Sequence, residues 1–163
     1  MQSKQELEDF YKNPDPWGYK TNSEDANRLK QILFLLGWGQ TRYKRALDIG
    51  CGEGFITTNL PADEIHGLDI SDNALIRLPE NVKAVKEPEG KYDLVVTTGT
   101  LYQQYDHERI HKLIVQSASK YVLIGGISDW LVNYSYGKQL HFHCFRYREF
   151  TQKLALYDIS AGS

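Results

Sequence analysis

The stretch Asp48-Ile49-Gly50-Cys51-Gly52-Glu53-Gly54 closes an apolar run that begins at Ala46, and it carries glycine at every second position. Such a loop can turn with positive φ and leaves no side chain between its backbone and a ligand. Whatever lies there meets the N–H groups that open the next element. A second acid, Asp69, ends the alternating run Glu64–Leu68 and precedes Ile70 and Ser71. A carboxylate at a strand's C-terminal end, one connection beyond a glycine loop, can accept both hydroxyls of a ribose. The chemistry predicted is therefore the holding of a nucleotide-type ligand. Taken alone, Asp69 also reads as a capping or solvated acid, and the loop as a glycine-rich turn of another α/β protein.

Other residues have proton-accepting or metal-binding types. Tyr102, Gln103, Gln104, Tyr105 and Asp106 follow the apolar run Leu94–Val96 and its polar end Thr97–Thr100, where open α/β sheets bind their ligands. Asp129 follows the next apolar run, and His141 and His143 lie further along; with Tyr105 these are the positions to test for a base, imidazole being able to take a proton near neutral pH. His107 and His111 stand four apart, a spacing that can clamp a metal, but no third ligand is evident and they read as surface histidines. His143 and Cys144, adjacent on a strand, would point to opposite faces, so no metal site is expected.

The spacing discriminates between nucleotides. A dinucleotide loop needs glycine at the first, third and sixth positions, whereas counting from Gly50 the fifth is Gly54 and the sixth is Phe55. The pattern Asp48-x-Gly50-x-Gly52-x-Gly54 instead resembles motif I of class I S-adenosylmethionine (SAM)-dependent methyltransferases. Tyr92-Asp93 before the apolar strand resembles motif IV of that family. Asp15-Pro16-Trp17-Gly18-Tyr19 is similar to the Asp-Pro-Trp-Gly segment of its nodulation protein S branch, whose members methylate an amine on a chitin-type oligosaccharide.

The resemblance implies SAM as cofactor and S-adenosyl-L-homocysteine as product. It implies that Gly50, Gly52 and Gly54 lie against the methionine part, with Asp48 beneath them ordering the amino-acid end. Asp69 would take the ribose hydroxyls, Ile70 an adenine face, and Glu87 the adenine amino group, although Lys86-Glu87-Pro88-Glu89-Gly90 is shorter than the family's usual loop. Thr98, Thr100 and Leu101 would lie beside the sulfonium, and Trp17, Tyr19 and Tyr102 would meet the substrate. In relatives of that branch the N-terminal segment folds over cofactor and substrate, so Trp17 and Tyr19 are either a proline-braced lid or a cover for the core's edge. The function implied is methyl transfer to a small-molecule or sugar nucleophile, an amine or a hydroxyl. A non-catalytic SAM-binding subunit of a heteromer and a nicotinamide-nucleotide oxidoreductase remain the alternatives.

These residues need a scaffold. Ser3-Lys4-Gln5-Glu6 has the form of a capping box for a short helix over about 4–11. Ala26, Leu29, Ile32, Leu33 and Leu36 recur at helical spacing. Strands are predicted at 45–49, 64–69, 82–85, 91–97 and 121–127, with helices at 55–60, 72–78 and 106–119 between them. Alternating strands and helices predict an α/β, doubly wound, mostly parallel Rossmann-like sheet with helices on both faces. Beyond Trp130, residues 133–138 read as a mobile loop, 140–145 as a strand, 146–156 as a helix and 158–161 as the start of a sixth strand. The seventh strand, half of the antiparallel hairpin with which the family's sheet normally ends, is thus expected to be missing. The chain reads as one domain, with a helical lid or cover over 1–37, a cofactor-binding core over 45–130, and a substrate loop and C-terminal element over 131–163.

Composition narrows the partners. Nineteen Lys and Arg against twenty-one Asp and Glu give a net charge of −2 over 163 residues, which offers no broad positive field to nucleic acid. Two cysteines make no disulfide framework and fit a reducing cytoplasm. No apolar run approaches the ~20 residues of a membrane span, and the N-terminus lacks a signal peptide's pattern. A small-molecule substrate is expected, with no membrane association; a partner, in a dimer or heteromer, would pair through the sheet edge.

Overall fold

The computed structural model describes residues 2–161. Seven strands form one sheet: β1 (Tyr43–Ile49), β2 (Ala62–Leu68), β3 (Lys83–Val85), β4 (Tyr92–Thr98), β5 (Ala118–Ile127), β6 (Lys138–Tyr147) and β7 (Phe150–Asp158). Four helices accompany them: α1 (Lys4–Phe10), α2 (Ser23–Leu35), α3 (Asp72–Leu75) and α4 (His107–Ser117). The spatial order is β3-β2-β1-β4-β5-β7-β6, parallel through the first five and antiparallel where β7 lies between β5 and β6. The order reverses between β1 and β4, so a crevice opens beyond their C-terminal ends.

Two apolar layers sandwich the sheet. Leu47, Ile49, Val95, Val122 and Ile124 pack with Leu113 and Ile114 of α4. On the other face Ala46, Leu94, Val96, Leu123 and Leu154 pack with Ile32 of α2 and with Leu36. The central strands are therefore buried on both faces, which is why β4 reads as a nearly continuous apolar run. Ser3 and Glu6 form the expected capping box of α1. Among the described residues no helix is long and apolar enough to cross a membrane.

Four expectations are corrected. Residues 55–60 do not form an α-helix; only the 3-10 turn Thr57–Asn59 is present. With Pro61 and the first residue of β2 following at once, there is no room for a longer crossover. Residues 146–156 are not helical: they turn at Arg148, whose φ is 53°, and return as β7. The seventh strand is consequently present, and the sheet ends in a complete antiparallel hairpin. β7 is covered on both faces, Leu154 and Leu156 in one layer and Ala155 and Tyr157 in the other, so it lacks the alternation that announces a half-exposed strand. The expected mobile loop after Trp130 is docked on α4. Tyr134 and Tyr136 hydroxyls lie 3.0 Å and 2.8 Å from Nδ1 of His107 and His111, respectively, and the His111 ring stacks on Tyr134 at 4.2 Å.

Candidate active site

The glycine loop leaves β1 at the sheet's switch point. Gly50 and Cys51 donate their N–H groups to Leu68 O at 2.7 Å and 3.1 Å, and Gly52 N–H donates to Asp69 Oδ2 at 2.8 Å. Loop and strand end are thus one unit. Gly50 has φ 78°, and a Cβ there would collide with the Thr100 methyl; Gly52 has φ 55°, and its Cβ would stand 2.7 Å from the Tyr11 hydroxyl. Both positions combine left-handed backbone with a close approach, so only glycine fits without displacement.

Two acids serve this unit. Asp48, 3% exposed, sits under the loop and accepts the Thr57 hydroxyl at 2.7 Å. Burial pushes its carboxyl up to about 7, against the lowering effect of Thr57; Asp69 adds to the rise and Arg28 opposes it. Asp69 receives Ser71 N–H at 2.9 Å on its other oxygen; burial raises its carboxyl despite the amides of Ser71 and Gly52.

The N-terminal segment closes over the loop. Asp15 N–H donates to Glu53 Oε2 at 2.9 Å, and Arg77 bridges Glu53 Oε1 at 2.9 Å and Tyr11 O at 2.7 Å. The Trp17 indole donates to the Tyr11 hydroxyl at 2.9 Å. Asp15, itself at φ 47°, accepts the N–H groups of Tyr19 and Lys20. Trp17 and Tyr19 are therefore held by a turn fastened to the loop's own glutamate.

Beneath this cover is a cavity of about 750 Å³, within the range of small-molecule sites. The structure brings Asp48, Gly50, Gly52, Gly54, Asp69, Ile70, Thr98, Thr100, Trp17, Tyr19, Tyr102 and Tyr105 to its walls. The remaining candidates lie elsewhere. Leu101 is buried in the α4-side core. Glu87 is exposed and faces Arg109 at 3.4 Å. Asp129 is exposed and accepts the Ser128 hydroxyl. His141 and His143 stand on β6, the sheet's outer strand, away from the cavity. Tyr92 and Asp93 belong to the far end of β4, where Asp93 receives Lys44 N–H at 2.9 Å.

Sequence reasoning missed a charged cluster in the opposite wall. Asp25 is fully buried and Arg28 is 5% exposed. Asp25 accepts Arg28 Nε at 3.2 Å, Arg148 Nη2 at 3.0 Å and the Tyr147 hydroxyl at 2.7 Å. The Arg28 guanidinium also lies 4.9 Å from the centre of the Tyr19 ring. Arg28 Nη2 and Arg148 Nε are buried without a hydrogen-bond partner, and both residues line the cavity. The signal was available for the first pair: Asp25 and Arg28 share the stripe of Leu29, Ile32 and Leu36, where a charged residue needs a reason. Tyr147, Arg148, Phe150 and Gln152 were hidden by the helical reading of their segment.

The arrangement fits SAM by its residues. Glycine backbone leaves a cradle, a carboxylate stands at the end of β2, and the guanidinium-bearing residues Arg28 and Arg148 line the same space. Residues 47–120 match the family described as methyltransferase domain. No curated protein matches the sequence. Among solved structures, the N-methyltransferase NodS of Bradyrhizobium japonicum WM9, crystallised with S-adenosyl-L-homocysteine, is similar over 97% of this chain and 98% of that one, with TM-score 0.79 and 18% identity. The magnesium protoporphyrin IX methyltransferase ChlM of Synechocystis PCC 6803 with bound SAH is similar over 96% of this chain and 99% of that one, with TM-score 0.70 and 12% identity. The structural likenesses show that the chain has the fold of these SAM-dependent methyltransferases, and the methyltransferase-domain match falls on residues 47–120, which include the glycine loop and Asp69.

Proposed function

We propose that the enzyme methylates an amine nitrogen of a small molecule that enters between Tyr19 and the Tyr102–Trp130 wall. The observation that carries this reading is the single cavity in which the glycine loop, Asp69 and the aromatic wall meet. Gly50, Gly52, Asp69 and Ile70 would hold the nucleoside part of the cofactor, and Asp48 and Arg28 Nη2 its ammonium and carboxylate. Bound SAM supplies a methyl group already activated by its positive sulfur.

The chain's own contribution is then placement. Tyr102 is fixed by accepting Ile127 N–H at 2.8 Å and by Trp130, whose ring stands edge-on at 5.6 Å. Tyr105 stacks on Tyr102 at 6.0 Å. Burial pushes the Tyr102 phenol up to about 12 and raises that of Tyr105. Both therefore stay protonated at neutral pH and orient the acceptor through hydrogen bonds rather than remove its proton. Holding the nucleophile in line with the methyl group is worth several kcal/mol by itself.

An amine suits this wall better than a hydroxyl. Among the described residues lining the cavity there is no histidine. Of its five acids, Asp48 and Asp69 are given to the cofactor in this reading and the others are engaged: Asp15 by the Tyr19 amide, Glu53 by Arg77, Asp106 by the Arg109 amide. A neutral amine brings its own lone pair, whereas an alcohol needs a base. NodS, an N-methyltransferase, supports the same choice.

The test is calorimetry with SAH followed by methyl transfer from SAM to matched panels of primary amines and alcohols. Asp69→Ala should weaken SAH about 10- to 150-fold, the loss of charge-assisted hydrogen bonds worth ~1.5–3 kcal/mol. Turnover confined to alcohols would refute the acceptor assignment; unchanged SAH affinity in Asp69→Ala would refute the ribose assignment.

A further inference from the structure

The cluster around Asp25 has two ends. Arg28 lines the cavity with its guanidinium over the Tyr19 ring, and its charge acts on Asp48. Arg148 lies on the far side of Asp25, on the turn between β6 and β7, and reaches the cavity beside Trp17, whose carbonyl it meets at 3.4 Å. Its turn is held in the left-handed region by Glu24, which accepts the Arg148 main-chain N–H at 2.7 Å. Glu24 stands outside the cavity and bonds that amide, not the guanidinium. One buried carboxylate, Asp25, thus serves two guanidiniums that line the cavity, while Tyr19 and Tyr147, both raised by burial, remain neutral beside them. The cluster keeps one positive charge in excess and an unpartnered Nε–H on Arg148. The Arg148 side chain is 36% exposed, so the rest of its fork is open to a ligand in the cavity that it lines.

The cofactor's carboxylate, placed on Arg28 above, answers only one of the two guanidiniums, and Arg148 lies beyond Asp25. Resting on the reading above, we propose that the Arg148 end of the cavity is a subsite for a carboxylate carried by the methyl acceptor. Arg148 binds it, and Asp25 is the positioning residue that holds Arg148. A planar monoanion matches the guanidinium fork. The acceptor is then an amino acid-like molecule, its amine toward the glycine loop and its carboxylate toward the β6–β7 turn. Its apolar or ring portion lies against Trp130 and Phe150, whose rings are 5.0 Å apart.

Benzoate and its neutral isostere benzamide are suitable probes. Each is titrated into protein saturated with SAH and read by tryptophan fluorescence, since Trp17 and Trp130 both line the cavity. The Nε–H resonances of the arginines give a second readout. Benzoate is expected to bind at least about tenfold more tightly than benzamide, the factor of one charge-assisted hydrogen bond. Arg148→Met should abolish that preference and Arg148→Lys restore part of it, with SAH binding as the check that each variant is folded. A parallel titration replaces SAH with 5′-methylthioadenosine, which lacks the amino-acid end. Benzoate binding in that complex but not in the SAH complex would assign the cluster to the cofactor's carboxylate and overturn the proposal. Equal binding of benzamide, a preference that survives in Arg148→Met, or no response to millimolar benzoate would overturn it as well. Failure of SAH itself to bind would refute the cofactor reading; SAH binding without the benzoate preference refutes only this subsite.

Discussion

Asp48→Asn is expected to make the ligand-free protein more stable at neutral pH while weakening its hold on the cofactor. The native carboxyl keeps its proton to about pH 7, whereas an unfolded chain releases it near 3.8. A group whose native affinity for the proton is raised stabilises the fold fully below the unfolded value, and that contribution is lost as pH rises through the native one. From 3.8 to about 7, at about 1.36 kcal/mol for each tenfold change in proton affinity, the loss comes to about 4 kcal/mol. Asparagine does not titrate and its amide oxygen can still accept the Thr57 hydroxyl. Urea unfolding of both proteins from pH 4 to pH 8 should therefore show a gap that is small at the acid end, widens with pH and levels off above about 7. Binding should show the other half of the linkage. If the cofactor's ammonium docks beside Asp48, SAH binding near pH 6 expels a proton, and its calorimetric heat will change with the buffer's ionisation enthalpy. A stability gap that does not vary with pH, or a wild-type protein that loses stability relative to the variant on acidification through this window, would refute the assignment of a neutral, buried Asp48.

Two further substitutions probe the scaffold. Gly50→Ala places a methyl group against that of Thr100 in left-handed backbone, which costs ~1–2 kcal/mol in the backbone alone, and should weaken SAH measurably in calorimetry. Thr100→Ser removes the opposing methyl and should recover part of that loss in the double variant, a recovery that a purely backbone effect would not show. Leu154→Ala empties a fully buried position of β7 and should cost about 2–5 kcal/mol in urea unfolding; a cost below ~1 kcal/mol would mean that the hairpin is not packed on the sheet.

What could be read in the sequence is what depends on short spacing. The glycine loop and Asp69 declare themselves because close approach and positive φ permit few residue types, and because each closes an apolar run. β4 is legible for the same reason that its two faces are alike. β7 is not: buried on both faces, it shows no alternation, and its turn at Arg148-Glu149 contains neither glycine nor proline. The crossover after the glycine loop was misread because Phe55–Leu60 has a helical composition but no length in which to use it. His141 and His143 attracted attention by chemistry alone, and spacing along an outer strand says nothing about distance to a crevice.

The cluster around Asp25 follows from these gaps. Its members come from α2 and from the β6–β7 turn, more than a hundred residues apart in the chain, and neither segment carries a motif. Only the antiparallel hairpin, by returning β7 between β5 and β6, brings the end of β6 to the same edge as the end of β4. In the proposed reading the acceptor's carboxylate is met at the hairpin turn, the nucleoside part of the cofactor at the ends of β1 and β2, and α2 carries Asp25 and Arg28 between them. Tyr19 lies between the two, its ring against Phe55 at 5.5 Å on one side and the Arg28 guanidinium on the other. Local patterns identify the half of the cavity that carries the glycine loop and Asp69; the half around Asp25 is set by tertiary packing, and a buried charge on an apolar helix stripe is its one trace in the sequence.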